Sequence, residues 1–460
     1  MSISATKGLS TIILAAGEGT RMKSKKSKVL HKVLGKSLIE HVIDAAKYAG
    51  SEKICLVIGH KGEEVKEAIG DAVEYAIQKE RLGTGHAVMQ ADSFIGEEGD
   101  ILVLYGDTPL ITGETLKNMI ETHRKEQNGV TILSAIVEDP TGYGRIIRDE
   151  AGNFVKNVEH KDASEEELKV REINGGMYCF QAKLLKEALK ELTNDNVQGE
   201  YYLTDTLHII LSKGYRVNAV VVPDSSEILG VNSRVQLGEV TQIMKRRMNK
   251  KFMDLGVTII DPESTYIEPD VSIGMDTIIY PGSIIQGKTV IGEDCIIGPN
   301  TRIDHAKIGN AVSVESSVVL ESEIGSNTTV GPFAYIRPNS KIGSHIKIGD
   351  FVEIKNSTIG NHTKVSHLTY IGDADVGQNV NFGCGTVIVN YDGCKKHRTT
   401  IEDGAFIGCN TNLVSPVTVH KEAYTAAGST ITEDVPSRAL GIARARQINK
   451  ENWVDKKNNR

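Results

Sequence analysis

The chain has 460 residues, 40% of them apolar and 25% charged, with a net charge of −7, enough for two or three domains with substantial buried cores. The negative balance excludes a general electrostatic affinity for nucleic acid. Six cysteines, at positions 55, 179, 295, 384, 394 and 409, form no C-x-x-C and no paired spacing, which excludes a disulfide framework and suits reduced thiols in a cytoplasmic protein.

Residues 1–10 lack the charged start and apolar run of a secretory signal, and no apolar stretch approaches a membrane span; a cytosolic protein without membrane insertion is expected. Residues 9–17, LSTIILAAG, predict a buried strand running into a glycine turn. Small residues at 15–17 and Gly19 would let backbone N–H groups approach phosphate oxygens, with Arg21 and Lys28 adding cations. A plain tight turn is the alternative, because neither the P-loop nor the dinucleotide fingerprint is present. Strands at 53–59 and 101–105 and a helix at 63–69 alternate, as in an α/β layer structure with a mostly parallel sheet. Asp107 then stands at the carboxyl end of a strand, placed either to hold a hard divalent cation beside a phosphate or simply to cap a turn. Gly83-Thr84-Gly85-His86 is a second glycine turn, opening a helix.

From Ser233 to about Leu255, Val235, Val240, Ile243, Met244, Met248 and Phe252 recur at three- to five-residue intervals and predict an amphipathic connecting helix. Its cluster of Lys245, Arg246, Arg247, Lys250 and Lys251 is expected to be a solvated face with favourable dipole charge, with nucleic-acid contact as the alternative.

Beyond it the period changes. Ile324, Val330, Ile336, Ile342, Ile348 and Ile354 stand six apart, as do Ile401, Ile407, Leu413, Val419, Thr425 and Ile431. Between them Ile359, Val365, Ile371, Val376 and Phe382 slip by one residue at two points. A period of six predicts a hexapeptide-repeat parallel β-helix, with three hexads closing one triangular coil. Coils one strand spacing apart, about 4.8 Å, stack roughly nine high. Arg337 and Lys355 are three hexads apart and should occupy equivalent corners of adjacent coils, where an anion would relieve two like charges. The segment 391–400 breaks the rhythm and predicts an excursion loop. His367 is the obvious proton acceptor near Tyr370, Asn381 and Asn390-Tyr391; a lone histidine on such a rod is otherwise a surface or stacking residue. The slips near 359 and 376, with the excursion, are expected to mark a site.

Two motif sets carry a resemblance. Leu14-Ala-Ala-Gly-Glu-Gly-Thr-Arg-Met22, Lys28, Gln78 with Gly83-Thr84, Tyr105-Gly106-Asp107, Gly142-Tyr143-Gly144-Arg145, Glu159, Asn174 and Asn232 resemble the sugar-nucleotide pyrophosphorylases. With the rod residues, the whole chain resembles the bacterial bifunctional UDP-N-acetylglucosamine pyrophosphorylase/glucosamine-1-phosphate N-acetyltransferases. The resemblance implies a Rossmann-like nucleotidyltransferase domain at 1–232, a linker helix at 233–255 and a left-handed β-helix acetyltransferase domain at 256–460. It implies that Leu14, Ala15, Ala16, Gly17, Lys28, Gln78, Gly83, Thr84, Tyr105, Gly106, Asp107, Gly144, Glu159, Asn174 and Asn232 hold UTP and the sugar nucleotide. Asp107 and Asn232 would ligate Mg²⁺, and Arg21 and Lys28 would neutralise the triphosphate. On the rod, Arg337, Lys355, Tyr370, Asn381 and Asn390 would bind glucosamine-1-phosphate, with His367 as base; Cys384, Asn390, Tyr391, Cys409, Ala427 and Arg444 would follow the acetyl-CoA path. A homotrimer is implied, with the tail around Trp453 reaching a neighbour. Ser27 departs from the family, which often has proline before the lysine, and Cys384 and Cys409 stand where other members carry Ala or Ser. The competing readings are a single-function nucleotidyltransferase with a structural or regulatory rod, and a non-enzymatic β-helix scaffold.

Overall fold

A computed structural model describes residues 8–196 and 198–458; the reading of the first ten residues falls largely outside them. The chain divides into two compact units, Met1–Met244 and Lys245–Arg460. The division falls inside the helix Arg234–Asp254 and not at its ends.

The first unit is built on a mixed sheet whose strands run, edge to edge, Val217–Val221, Val130–Ile136, Glu172–Gln181, Asp100–Tyr105, Leu9–Ala15, Lys53–Ile58 and Glu74–Ile77. All pair in parallel except Glu172–Gln181, which is antiparallel to both neighbours. Residues 12–15, 54–58 and 101–104 of the central strands are uninterrupted apolar runs because both faces are covered. Ile12, Leu14, Val57 and Val103 enter one core, and Ile13, Leu56, Leu102 and Leu104 the other. The helix Leu38–Tyr48 follows a capping box, in which Ser37 Oγ accepts from the Glu40 amide at 3.4 Å and Glu40 Oε2 accepts from the Ser37 amide at 2.7 Å. Leu9–Ala15 and Asp100–Tyr105 lie side by side in parallel, so Ala16-Gly17 and Gly106-Asp107 emerge together at the sheet's carboxyl edge.

In the second unit three parallel ladders of 11, 10 and 9 short strands form a triangular β-helix. Nine full coils run from Thr258–Ile259 to Thr418–Val419, followed by three further strands. Ile336, Ile354 and Ile371 stack inward in direct register on one face, as do Val365, Phe382, Ile407 and Thr425 on another. The interior is a column of such side chains, nearly all fully buried. Truncating one should leave a cavity with no neighbour able to collapse into it. Ile354→Ala is expected to lose about 2–5 kcal/mol, read as a lowered urea midpoint of the rod.

Three expectations are corrected. Val235 is not on a buried apolar face: it is 71% exposed, in the first turn of the helix Arg234–Asp254. Lys245 is not part of a solvated face: it is 1% exposed, donates to the Glu263 carbonyl, and lies 5.0 Å from the Tyr266 ring centroid. Asn249, also buried, donates to the Pro262 and Thr265 carbonyls at 2.8 and 3.0 Å, so this half of the helix seals the first corner of the rod. The one-residue slips are also more numerous. Besides Ile354/Ile359 and Ile371/Val376, inward residues stand five apart at Ile303/Ile308, Val314/Val319 and Val319/Ile324. A slip shortens a corner and does not by itself mark a site.

Candidate active sites

At the carboxyl edge of the first unit, Lys28 sits on the short turn Lys28–Leu30 and reaches back to the sheet. Its ammonium pairs with Asp107 Oδ2 and donates to Asn232 Oδ1 at 3.0 Å. Asp107 is fixed by its strand, and its carbonyl accepts from the Val231 amide at 2.8 Å, which brings Asn232 alongside. Gly19, at φ +65, runs so close to this lysine that a side chain there would lie 2.6 Å from Lys28 Cβ; glycine is needed for both reasons. The Ser27 amide donates to Glu64 Oε2 at 3.0 Å. A proline could not make that bond, so here a hydrogen bond replaces ring stiffness in holding the turn.

Two cavities adjoin this point. One, of about 310 Å³, is lined by Leu14–Gly17, Lys28, Gln78, Gly83, Thr84, Tyr105 and Asp107, together with Arg81 and Glu200. The other, of about 790 Å³, is lined by Gly144, Glu159 and Asn174 among others, and shares Thr84, Tyr105 and Glu200 with the first. Gln78 Nε2 donates to the Gly83 carbonyl at 3.2 Å, tying the second glycine turn to the wall. Burial, and then Asp107 and Glu159, push the Tyr105 phenol well above its ordinary pKa, so it stays neutral. Of the predicted nucleotide residues, Gly106, Asn232 and Arg21 line neither cavity. Gly106 stands between Tyr105 and Asp107 and Asn232 is bonded to Lys28, so both adjoin the site, whereas Arg21 is exposed on the turn Thr20–Met22. Arg81 stands at the wall instead, in a two-point pair with Glu18 at 2.8 Å. Nothing in the sequence pattern distinguished it.

On the rod the sites follow from stacking. Asp350, His367, Cys384, Cys409 and Ala427 each lie two residues after an inward side chain of one ladder, in five consecutive coils. The candidate base and three of the acetyl-CoA candidates therefore share one corner, and Arg444 continues it, its Cδ 3.8 Å from where a side chain on Gly428 would begin. Asp350 Oδ1 accepts from His367 Nδ1 at 2.6 Å. That bond sets the tautomer, leaving Nε2 with its lone pair toward solvent. The pairing with His367 holds the Asp350 carboxyl below the usual range. Phe351 and Leu368, which follow the pair, take left-handed φ values of 55 and 40, a conformation that bulky residues adopt at a cost.

Arg337, Lys355 and Gly372 stack on the adjacent face. The two cations are neighbours as expected but not bare: Arg337 donates to Glu353 at 2.7 Å, and Lys355 lies 4.0 Å from Asp373. An anion is therefore not required to hold them together. A third cation arrives from the excursion: Lys396 lies beside Lys355 and pushes its ammonium below the ordinary value, with burial adding and Asp373 opposing. Asp373 is the hub, accepting from Asn356 at 2.6 Å and from Asn390 at 2.5 Å. Asn390 also donates to Tyr370 Oη at 3.4 Å, and because residue 372 is glycine the Tyr370 hydroxyl fills the space below Lys355. Asn390 is thus buried within this network. Tyr391 is exposed, its hydroxyl turned back to the Gly393 carbonyl at 2.6 Å. Asn381 lies on the other face, paired with Lys364 and Phe406. The excursion ends at Arg398, earlier than expected, since Thr399 and Thr400 already pair with Ala374 and Asp375.

Residues 10–257 match the family model described as nucleotidyl transferase, and residues 270–305 and 321–356 match that of the bacterial transferase hexapeptide. The chain is 60% identical over 449 residues to the bifunctional protein GlmU of Caldanaerobacter subterraneus subsp. tengcongensis, covering 98% of each. It is 59% identical over 450 residues to that of Acetivibrio thermocellus, again over 98% of each, and 57% identical over 446 residues to that of a Geobacillus species, over 97% of each. The chain belongs to the GlmU family of bifunctional proteins. Its rod is accordingly a left-handed β-helix of hexapeptide repeats. The gap between the hexapeptide matches, at 306–320, contains the five-residue spacing Val314/Val319, while Ile303/Ile308 and Val319/Ile324 straddle its ends; the second match ends at 356, before the slip at Ile359.

Asp350, Asp373 and Lys396 escaped the sequence reading. The stacking arithmetic that paired Arg337 with Lys355 also reaches Asp350, one coil before His367, and Asp373, one coil from Asn356 and Asn390. Lys396 has no register to give it away, because it lies on the excursion.

Proposed function

We infer that this chain is a bifunctional enzyme of UDP-N-acetylglucosamine synthesis. It is a glucosamine-1-phosphate N-acetyltransferase and an N-acetylglucosamine-1-phosphate uridylyltransferase. The observation that carries this is the coexistence in one family member of the Lys28–Asp107–Asn232 cluster beside two cavities and of the His367–Asp350 pair near a three-cation face. Residues 1–232 carry uridylyl transfer, 233–255 the connecting helix and 256–460 acetyl transfer.

In acetyl transfer, Arg337, Lys355 and Lys396 receive the sugar phosphate, with Tyr370 and Asn390 beside them and Asn381 on the neighbouring face. Cys384, Cys409, Ala427 and Arg444, with Tyr391, follow the acetyl-CoA path. His367 Nε2 takes a proton from the sugar amine as nitrogen attacks the thioester carbonyl; the C–N bond forms, the C–S bond breaks, and the CoA thiolate leaves. Asp350 keeps the ring in the required tautomer and stabilises the imidazolium. Asp350→Asn is expected to lower the turnover of CoA release by about 10²-fold or more, with uridylyl transfer unchanged; both are followed in one preparation.

In uridylyl transfer, an oxygen of the N-acetylglucosamine-1-phosphate anion attacks the α-phosphorus of UTP and pyrophosphate leaves. The nucleophile is already ionised, so no base is needed, and positioning and charge neutralisation remain. Leu14–Gly17, Gln78, Gly83, Thr84 and Tyr105 line the nucleotide side, with Gly106 next in the chain; Gly144, Glu159 and Asn174 line the sugar side. Asp107 and Asn232 fit Mg²⁺: their oxygens already converge on one cation, the Lys28 ammonium, and a hard ion held by one or two protein oxygens completes its shell with phosphates and water. Bound there, Mg²⁺ would neutralise phosphate charge. Lys28 then turns its ammonium to the triphosphate, and Arg21 reaches it from the exposed turn.

No helix among the described residues is long and apolar enough to cross a membrane. The enzyme is read as cytoplasmic, with small-molecule substrates; its net charge of −7 argues against a nucleic-acid partner, and the hexapeptide rod supports assembly as a homotrimer. Incubation with glucosamine-1-phosphate, acetyl-CoA, UTP and Mg²⁺ should yield free CoA and UDP-N-acetylglucosamine by mass spectrometry. The absence of either product would overturn the assignment.

A further inference from the structure

His31 and Arg234 have no part in the chemistry above, yet they join the two segments that form the metal-side cluster. His31 lies three residues after Lys28 and is 8% exposed. Its Nδ1 faces Arg234 Nη1 at 3.2 Å across 203 residues of chain. Since arginine only donates, Nδ1 must accept, so the imidazole is neutral and carries its proton on Nε2. Burial and then Arg234, with Lys26 adding, disfavour the charged ring in agreement with this. The Nε2 group is buried with no hydrogen-bond partner among the described residues, a costly arrangement to retain for packing alone.

Around this contact both segments are fixed. The His31 amide donates to the Lys28 carbonyl at 3.2 Å, and the His31 carbonyl accepts from the Leu38 amide at 2.9 Å. Arg234 opens the helix Arg234–Asp254, two residues after Asn232, whose own amide donates to Gln236 Oε1 at 2.8 Å. The Lys28 turn and the Asn232 turn are thereby tied twice: through Lys28 to Asn232, and through His31 to Arg234. The first tie must open when Lys28 moves to a triphosphate, which leaves the second to hold the two segments in register.

We propose that the His31–Arg234 hydrogen bond positions Asn232 and the Lys28 turn for binding of the metal-nucleotide complex, and that both are positioning residues of uridylyl transfer. This rests on Asp107 and Asn232 being the Mg²⁺ ligands. His31→Leu removes the acceptor while keeping bulk, His31→Asn retains an acceptor near the Nδ1 position, and Arg234→Met removes the donor from an exposed residue, where a folding defect is not expected. In the full-length protein, titration calorimetry with Mg²⁺ and UTP together should show binding weakened roughly 10-fold for His31→Leu and Arg234→Met, with His31→Asn close to the parent. The Mg²⁺ concentration for half-maximal uridylyl transfer should rise in parallel, and acetyl transfer should not change. Equal weakening in His31→Leu and His31→Asn would assign His31 to packing alone, and parental binding by Arg234→Met would overturn the tie. If Asp107→Asn leaves the Mg²⁺ requirement unaltered, the metal assignment itself fails; if it alone changes that requirement, only the present inference does.

Discussion

Asp107→Ala is expected to abolish uridylyl transfer at ordinary Mg²⁺ concentrations while acetyl transfer continues. The carboxylate stands at the end of a central strand, paired with the Lys28 ammonium and tied through the Val231 amide to the segment bearing Asn232. Removing it takes away the carboxylate paired with Lys28 and leaves that lysine, nine-tenths buried, with Asn232 as its remaining partner among the described residues. The loss falls on charge neutralisation around the phosphates, where a single preorganised group is worth about 10²–10³-fold. A fall of about 10³-fold in UDP-N-acetylglucosamine formed from supplied N-acetylglucosamine-1-phosphate and UTP is expected, partly restored by raised Mg²⁺. Near-normal turnover would remove Asp107 from the metal site.

His367→Ala is expected to stop CoA release and spare uridylyl transfer. The side chain is 58% exposed and carries no structural burden beyond its bond to Asp350, so the rod should fold without it. Loss of a general base costs about 10²–10⁴-fold. The folded variant should still make UDP-N-acetylglucosamine when N-acetylglucosamine-1-phosphate is supplied. Loss of both activities in a folded variant would sink the two-site account.

The two sites were legible in the sequence to different depths. In the first unit most candidates sit at the ends of apolar strands, and a parallel sheet gathers such ends along one edge, so Leu14–Gly17 and Gly106-Asp107 could be placed together from sequence. Arg21 could not, because its position depends on how an exposed turn lies, and Arg81 was invisible for the same reason. On the rod, the six-residue period gave the coil number and the register of Arg337 with Lys355. It also held the information that places Asp350 beside His367, although that step was missed.

The period misled in one respect. Spacings of five recur at Ile303/Ile308, Val314/Val319 and Val319/Ile324, away from the candidate residues, because a corner can lose a residue while the inward side chains keep stacking. What distinguishes the site is the charge placed on the coils, not the slip.

Sequence by itself determined the architecture: apolar runs long enough to be buried on both faces, then an aliphatic column of period six whose stacking leaves one arrangement open. These are repeating, local patterns, and burial enforces them residue by residue. Only the tertiary structure decided which charges compensate one another. Glu353 with Arg337, Asp373 with Lys355 and Asn390, and Lys396 brought in from the excursion are choices of partner. Such choices depend on distances of a few ångströms between side chains far apart in the chain, because electrostatic and hydrogen-bond energies fall off over that range.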